Sequence, residues 1–146
     1  MAIQRFLFNI PSDQIELTAD FYVKLFGFEI IWRNEDWYVQ LARPDNQSFH
    51  FGIIRRNYPF LPKHLQLLPQ GVILTIQVDN VESIYQEAIA LGHQIVQTIR
   101  DEEFGQRHFL MLDPNKLVIN VSMPIPMSKR FAANAEPRAN AGNSSK

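Results

Sequence analysis

The sequence predicts an α+β fold of two tandem βαβββ modules whose curved sheets surround a concave cleft. Three observations carry that prediction. First, an acid, a helical apolar stripe and a stopping glycine occur twice: Asp13 with Glu16 runs to Gly27, and Asp79 with Glu82 runs to Gly92, at offsets of 79 − 13 = 66 and 92 − 27 = 65. Second, each glycine is followed by an extended apolar stretch, Phe28 to Trp32 in one copy and His93 to Gln97 in the other. Third, Arg43-Pro44-Asp45-Asn46 is echoed by Asp113-Pro114-Asn115-Lys116, offset by 114 − 44 = 70. A duplicated unit of this size places a cleft between its copies.

The elements follow in the same order in each half. A strand over 4–10 leads to a helix over 14–26, where Ile15, Ala19, Tyr22 and Phe26 form one apolar stripe. Asp13 is expected to cap its start with Glu16 in a capping box, and Gly27 to end it in a left-handed turn. Strands over 29–33, 37–42 and 48–54 complete the first module. In the second, a strand over 72–78 precedes a helix over 80–91 carrying Ile84, Ala88 and Leu91, with Asp79 and Glu82 as its capping box. Strands over 94–99, 107–112 and 117–122 follow.

Period-two alternation gives each strand an apolar face toward the helices. In the first module these residues are Phe6, Phe8, Ile10, Trp37, Val39, Leu41, Phe49, Phe51 and Ile53; in the second, Leu74, Ile76, Val78, Leu117, Ile119 and Val121. The opposite face carries Arg5, Leu7, Asn9, Tyr38, Gln40, Ser48, His50, Ile73, Thr75, Gln77, Val118, Asn120 and Ser122. A solvated face would be dominated by charge, and this one is neutral, polar and aromatic. Such a composition suits a sheltered, partly wet cavity.

The chain has 146 residues, 46% hydrophobic and 20% charged, with a formal net charge of −1, which fits one soluble domain and gives no electrostatic footprint for nucleic acid or an anionic membrane. Without cysteine there are no disulfides, thiolate nucleophiles or Cys-based metal sites, and a cytoplasmic location is expected. The N-terminus lacks the pattern of a secretory signal, and no stretch is apolar enough to span a bilayer. A single domain is expected over 1–122: module one at 4–54, a proline-stiffened connection at 55–70 and module two at 71–122. The Pro-, Ala-, Asn- and Ser-rich tail, 123–146, is expected to be disordered.

The βαβββ duplication, with Ala19-Asp20-Phe21-Tyr22 before Leu25-Phe26-Gly27-Phe28 and with Val78-Asp79-Asn80-Val81 and Asp113-Pro114 in the second half, resembles the vicinal oxygen chelate superfamily of glyoxalases, extradiol dioxygenases and antibiotic-resistance proteins. Ile10-Pro11-Ser12, Phe21-Tyr22 and Trp37 look most like its bleomycin-resistance members. In metal-dependent members the first and last strands of both halves supply ligands to one divalent ion. Carried over, those positions fall on Leu7, His50, Ile73 and Asn120, with Arg5 or Asn9 as alternatives if the first strand shifts. Two aliphatic side chains, one imidazole and one amide do not make a catalytic site, so no metal and no other cofactor is expected.

The resemblance implies binding of a small organic molecule, a toxic or drug-like ligand, by a homodimer. His50, Tyr38, Gln40, Arg5, Thr75 and Asn120 are the expected polar groups of the pocket, with Trp32 and Phe104 as stacking walls. His50 as a general base is a third reading, and His108 reads as structural. Asp101-Glu102-Glu103 reads as a solvated loop or as an attraction for a basic ligand. A metal-dependent lyase or dioxygenase of the same superfamily is the alternative function.

Overall fold

Alternating apolar residues draw the chain into two four-stranded sheets, each backed by one helix. A computed structural model describes residues 1–134. The elements are β1 (Asn9–Ser12), α1 (Ile15–Phe26), β2 (Glu29–Asn34), β3 (Tyr38–Ala42), β4 (His50–Arg55), β5 (Ile73–Gln77), α2 (Val81–Ala90), β6 (Ile95–Glu102), β7 (Gln106–Leu112), β8 (Val118–Pro124) and α3 (Lys129–Asn134). The sheets have matching orders, β1-β4-β3-β2 and β5-β8-β7-β6, with the first strand of each module parallel to its last and the other pairings antiparallel. That is the tandem βαβββ architecture the repeat predicts.

The core lies between the helices and the sheets. Ala19, Tyr22, Leu25 and Phe26 of α1 pack on Ile10, Val39, Leu41, Phe51 and Ile53, while Val81 and Ala88 of α2 pack with Phe109, Met111, Ile119 and Val121. α1 stops at Gly27, whose φ of 66° is the left-handed value a residue without Cβ adopts freely. There Gly27 N–H donates to Val23 O and Phe28 N–H to Tyr22 O.

A buried polar chain joins the modules. Tyr22 Oη donates to Asp113 Oδ2 at 3.0 Å, and Asn115 Nδ2 donates to Thr18 Oγ1 at 3.0 Å. Asp113 also accepts from the backbone N–H of Asn115 at 2.7 Å and of Leu117 at 2.9 Å, which folds the Asp-Pro turn around its carboxylate. Burial, with Asp113 adding to it, pushes the Tyr22 phenol well above its ordinary value.

Several sequence expectations need correction. Neither capping box forms: Asp13 accepts from Arg56 instead, Gln14 precedes α1 without a side-chain cap, and Asn80 rather than Asp79 caps α2 by accepting from Ser83 N–H at 3.0 Å. Glu82 turns to Arg107. The first strand begins at Asn9, not at 4, which leaves Phe6 88% exposed and Arg5 and Leu7 outside the sheet. Trp37 lies before β3 and stacks on Tyr58 with ring centroids 3.9 Å apart, so it does not join the apolar face. Phe49 lies before β4 and is exposed. At the other end, β8 continues to Pro124 and Lys129–Asn134 is helical, so order extends past the expected limit at 122. The rest of the expected disordered tail, 135–146, lies outside the described residues.

Candidate functional site

β1 and β5 are the first strands of their modules and the edges of their sheets. They flank a cavity of about 450 Å³ lined in part by Asn9, Pro11, Val72 and Ile73. No ladder joins the two sheets among the described residues, so this seam is a cleft between two edges.

On the first sheet, Tyr38 Oη donates to Asn9 Oδ1 at 3.1 Å. The bond crosses over Gly52, which pairs with Asn9 on β1 and with Gln40 on β3. A Cβ at Gly52 would stand 2.1 Å from Asn9 Oδ1 and 2.3 Å from Tyr38 Oη, so only glycine leaves room for this hydrogen bond. Trp32 lies opposite Gln40, its ring centroid 5.5 Å from that of Tyr38, and it remains 52% exposed as an open aromatic surface. Gln40 is buried beside it. Burial raises the Tyr38 phenol above its ordinary value, and the charge of Arg5 acts in the opposite direction.

His50 begins β4 and stands apart from this pair. Its Nδ1 lies 2.7 Å from Gln47 O, which can only accept, so Nδ1 carries a hydrogen. That Nε2 is buried and has no hydrogen-bond partner among the described residues. A buried polar atom left unpaired costs about 1–3 kcal/mol, which marks it as a place for a polar ligand atom to bind.

On the second sheet a polar chain crosses four strands. Arg100 Nε donates to Glu102, and the Glu102 carboxylate lies 2.9 Å from His108 Nε2. His108 Nδ1 lies 2.7 Å from Asn120 Oδ1, and Asn120 Nδ2 donates to Thr75 Oγ1 at 3.3 Å. The His108 hydrogen bond, followed by that of Arg100, holds the Glu102 carboxyl below the usual carboxylate range. Phe104, 44% exposed, has its ring 6.5 Å from that of His108.

The expected residues therefore fall into two groups and one outlier. Tyr38, Gln40 and Trp32 gather on the first sheet, with Arg5 outside it, Thr75, Asn120 and Phe104 on the second, and His50 stands at the start of β4. Sequence reasoning missed Glu102 and His108 as members of the second group. The acidic run looked like a loop, whereas β6 continues through Glu102 and pairs it with Gln106. Each acid of the run is also matched to a cation: Asp101 to Arg107, Glu102 to Arg100, and Glu103 to Arg130. The run is not a free negative patch.

Register also revises the ligand positions carried over from the family. Thr75 lies opposite Asn120, while Asn9, 75 − 9 = 66 residues before Thr75, lies opposite Gly52. The counterpart of Asn120 in the first module is thus Gly52, at 120 − 52 = 68, rather than His50. Asn9, Gly52, Thr75 and Asn120 offer two amides, a hydroxyl and no side chain, a set that does not fit a catalytic divalent ion. Among the described residues, no three His, Cys, Asp or Glu side chains come together to hold one.

The model of the Glyoxalase/Bleomycin resistance protein/Dioxygenase superfamily matches residues 3–121. Among curated proteins none matches. TnmS3, an antibiotic binding protein from Streptomyces sp. CB03234, is 25% identical with a TM-score of 0.64, the alignment covering 85% of this chain and 98% of that one. A family enzyme from Burkholderia phytofirmans PsJN is 21% identical with a TM-score of 0.70, covering 82% and 97%, and TioX from Micromonospora sp. ML1 is 17% identical with a TM-score of 0.65, covering 84% and 100%. The last two likenesses speak to fold alone.

Proposed function

Because the chain belongs to the glyoxalase/bleomycin resistance protein/dioxygenase superfamily, we propose that it binds a small organic molecule beside the seam between its two sheets, without a catalytic metal and without converting it. The observation that carries this is the donor set at the seam: Asn9, Thr75 and Asn120 are built to hydrogen-bond and Gly52 brings nothing to a metal. The open faces of Trp32 and Phe104 favour a planar ligand, since flat apolar rings with a few oriented polar groups are the usual make-up of such sites. The antibiotic-binding activity of TnmS3 supports placing this chain among the sequestering members, near the bleomycin-resistance type. Fold alone would not, because one scaffold hosts many chemistries.

We further take the working form to be a homodimer. Ile31, Phe49, Phe60 and Leu67 are all more than half exposed, an apolar load that a second copy would cover. Sedimentation velocity at micromolar concentration is expected to give twice the chain mass, and a monomer at 100 μM would refute it.

The test of function is elemental mass spectrometry on protein purified from medium supplemented with manganese, iron, nickel and zinc, followed by a thermal-shift screen of planar drug-like compounds, bleomycin-type molecules included. We expect no stoichiometric metal and at least one compound that raises the melting temperature. One tightly held ion per chain, lost in His50→Ala, would overturn the proposal in favour of a metal-dependent lyase or dioxygenase.

A further inference from the structure

The polar chain of the second sheet has a direction, and that direction selects a ligand. Its β6 end is fixed: the Glu102 carboxylate, held by Arg100, can only accept, so His108 Nε2 donates to it across 2.9 Å. His108 Nδ1 then meets Asn120 Oδ1 at 2.7 Å, which also accepts, so both ring nitrogens face acceptor oxygens. With its oxygen engaged, Asn120 turns its amide nitrogen toward β5 and donates one hydrogen to Thr75 Oγ1 at 3.3 Å. The second amide hydrogen is left over. Thr75 Oγ1 is occupied as an acceptor, so its own hydrogen is also left over, on a residue exposed beside the seam. Two donors therefore stand at the outer end of the chain.

We propose that the Thr75 hydroxyl and the Asn120 amide recognise an acceptor oxygen, a carboxylate or carbonyl carried on an aromatic body, and that Glu102 and His108 are positioning residues that set their polarity. This rests on the small-molecule reading above and names the ligand class for it. The surroundings agree. Asp101 and Glu103, the acids flanking Glu102, are paired with Arg107 and Arg130, so no free carboxylate on this run competes for the donors or invites a cationic ligand. Phe104, beside His108, offers the apolar wall an aromatic body needs.

The experiment compares 2-naphthoate with 2-naphthylmethylamine, matched in ring and opposite in polarity, by amide chemical-shift perturbation and titration calorimetry on the full chain. We expect the carboxylate to shift the Thr75 and Asn120 signals and the amine not to. Thr75→Val should weaken the carboxylate about tenfold or more, the loss of one hydrogen bond to a charged group, whereas Thr75→Ser, which keeps the hydroxyl, should retain it. Nitrogen-15 spectra of the His108 ring should show a hydrogen on Nδ1, the atom that faces the Asn120 oxygen. Tighter binding of the amine at these residues, an unchanged affinity in Thr75→Val, or a lone pair on His108 Nδ1 would each overturn the proposal while leaving the binding function standing. If neither probe perturbs either sheet face at millimolar concentration, both fail together.

Discussion

Replacing Asp113 by alanine should weaken the junction between the two modules. Four hydrogen bonds end on this carboxylate: from Tyr22 Oη at 3.0 Å, Asn115 N at 2.7 Å, Leu117 N at 2.9 Å and Asn115 Nδ2 at 3.2 Å. Asn115 Nδ2 keeps a second acceptor in Thr18, so alanine orphans three donors rather than four. Tyr22 is wholly buried and Asn115 is 3% exposed, so water does not readily replace the lost partner. At about 1–2 kcal/mol for each stranded donor, after partial relaxation, the loss is about 3–5 kcal/mol. Against a total stability of about 5–15 kcal/mol that is a large share. For a chain of this size it corresponds to a melting temperature lower by about 10–15 °C.

Asp113→Asn separates charge from geometry. Its Oδ1 can still accept both backbone N–H groups and its Nδ2 can donate to Tyr22 Oη, so it should lose only about 1–2 kcal/mol. Urea titration followed by circular dichroism gives both values, and a double-mutant cycle with Tyr22→Phe isolates the contact between modules. A loss below 1 kcal/mol in the alanine variant would refute the reasoning. So would equal losses in the alanine and asparagine variants, or an additive cycle.

Three further outcomes are expected. Gly52→Ala should displace Asn9 or Tyr38, since its Cβ would lie within 2.3 Å of both side chains, and should weaken any ligand of the first sheet at least tenfold while costing under about 2 kcal/mol of stability by thermal melting; unchanged binding would refute the role given to the Tyr38 to Asn9 bond. Lys116 sits at φ 65°, a left-handed value unfavourable for a residue with a Cβ, so Lys116→Gly should raise stability by roughly 0.5–1 kcal/mol, and a lower urea midpoint would count against it. Glu102 and Asp101 are held below the usual carboxylate range, the first by His108 and then Arg100, the second by Arg107. Their contribution is complete above the unfolded carboxylate value near ~4 and is lost as pH falls through their lowered values, so Glu102→Gln should flatten the acid limb of a melting-temperature profile below about pH 4; a parallel limb would refute it.

The architecture was legible because a βαβββ unit leaves a local signature twice. Gly27 and the stripe of Ala19, Tyr22 and Phe26 are decided within α1 itself, and period-two alternation marks Val39, Leu41, Ile119 and Val121 without knowledge of their partners. Where local preference competes with a distant partner, sequence is silent. Asp13 is a good cap in isolation, yet Arg56, 43 residues away, claims its carboxylate. The candidate site shows the same limit. Tyr38, Thr75 and Asn120 were visible as uncharged residues on an inner face, but Gly52 has no side chain to announce itself. Glu102 looked like part of a charged loop because the bulges between Ile95 and Arg100 disturb the alternation that would have placed it on β6 beside His108.

The Asp-Pro turn and its echo also imply an order of assembly. In the first half Arg43 turns back to the carbonyl of Phe26 and to Asp45, contacts 17 and 2 residues apart, which that half can close by itself. In the second half the corresponding Asp113 reaches across 91 residues to Tyr22. Local contacts close quickly, whereas distant ones wait until both ends are formed. The first half thus carries its own latch from the moment it emerges, while the second receives its latch only from a finished neighbour. The halves descend from one pattern, yet they cannot exchange places: two copies of the first would leave Tyr22 without an acceptor, and two copies of the second would leave Asp113 without a phenol to bind.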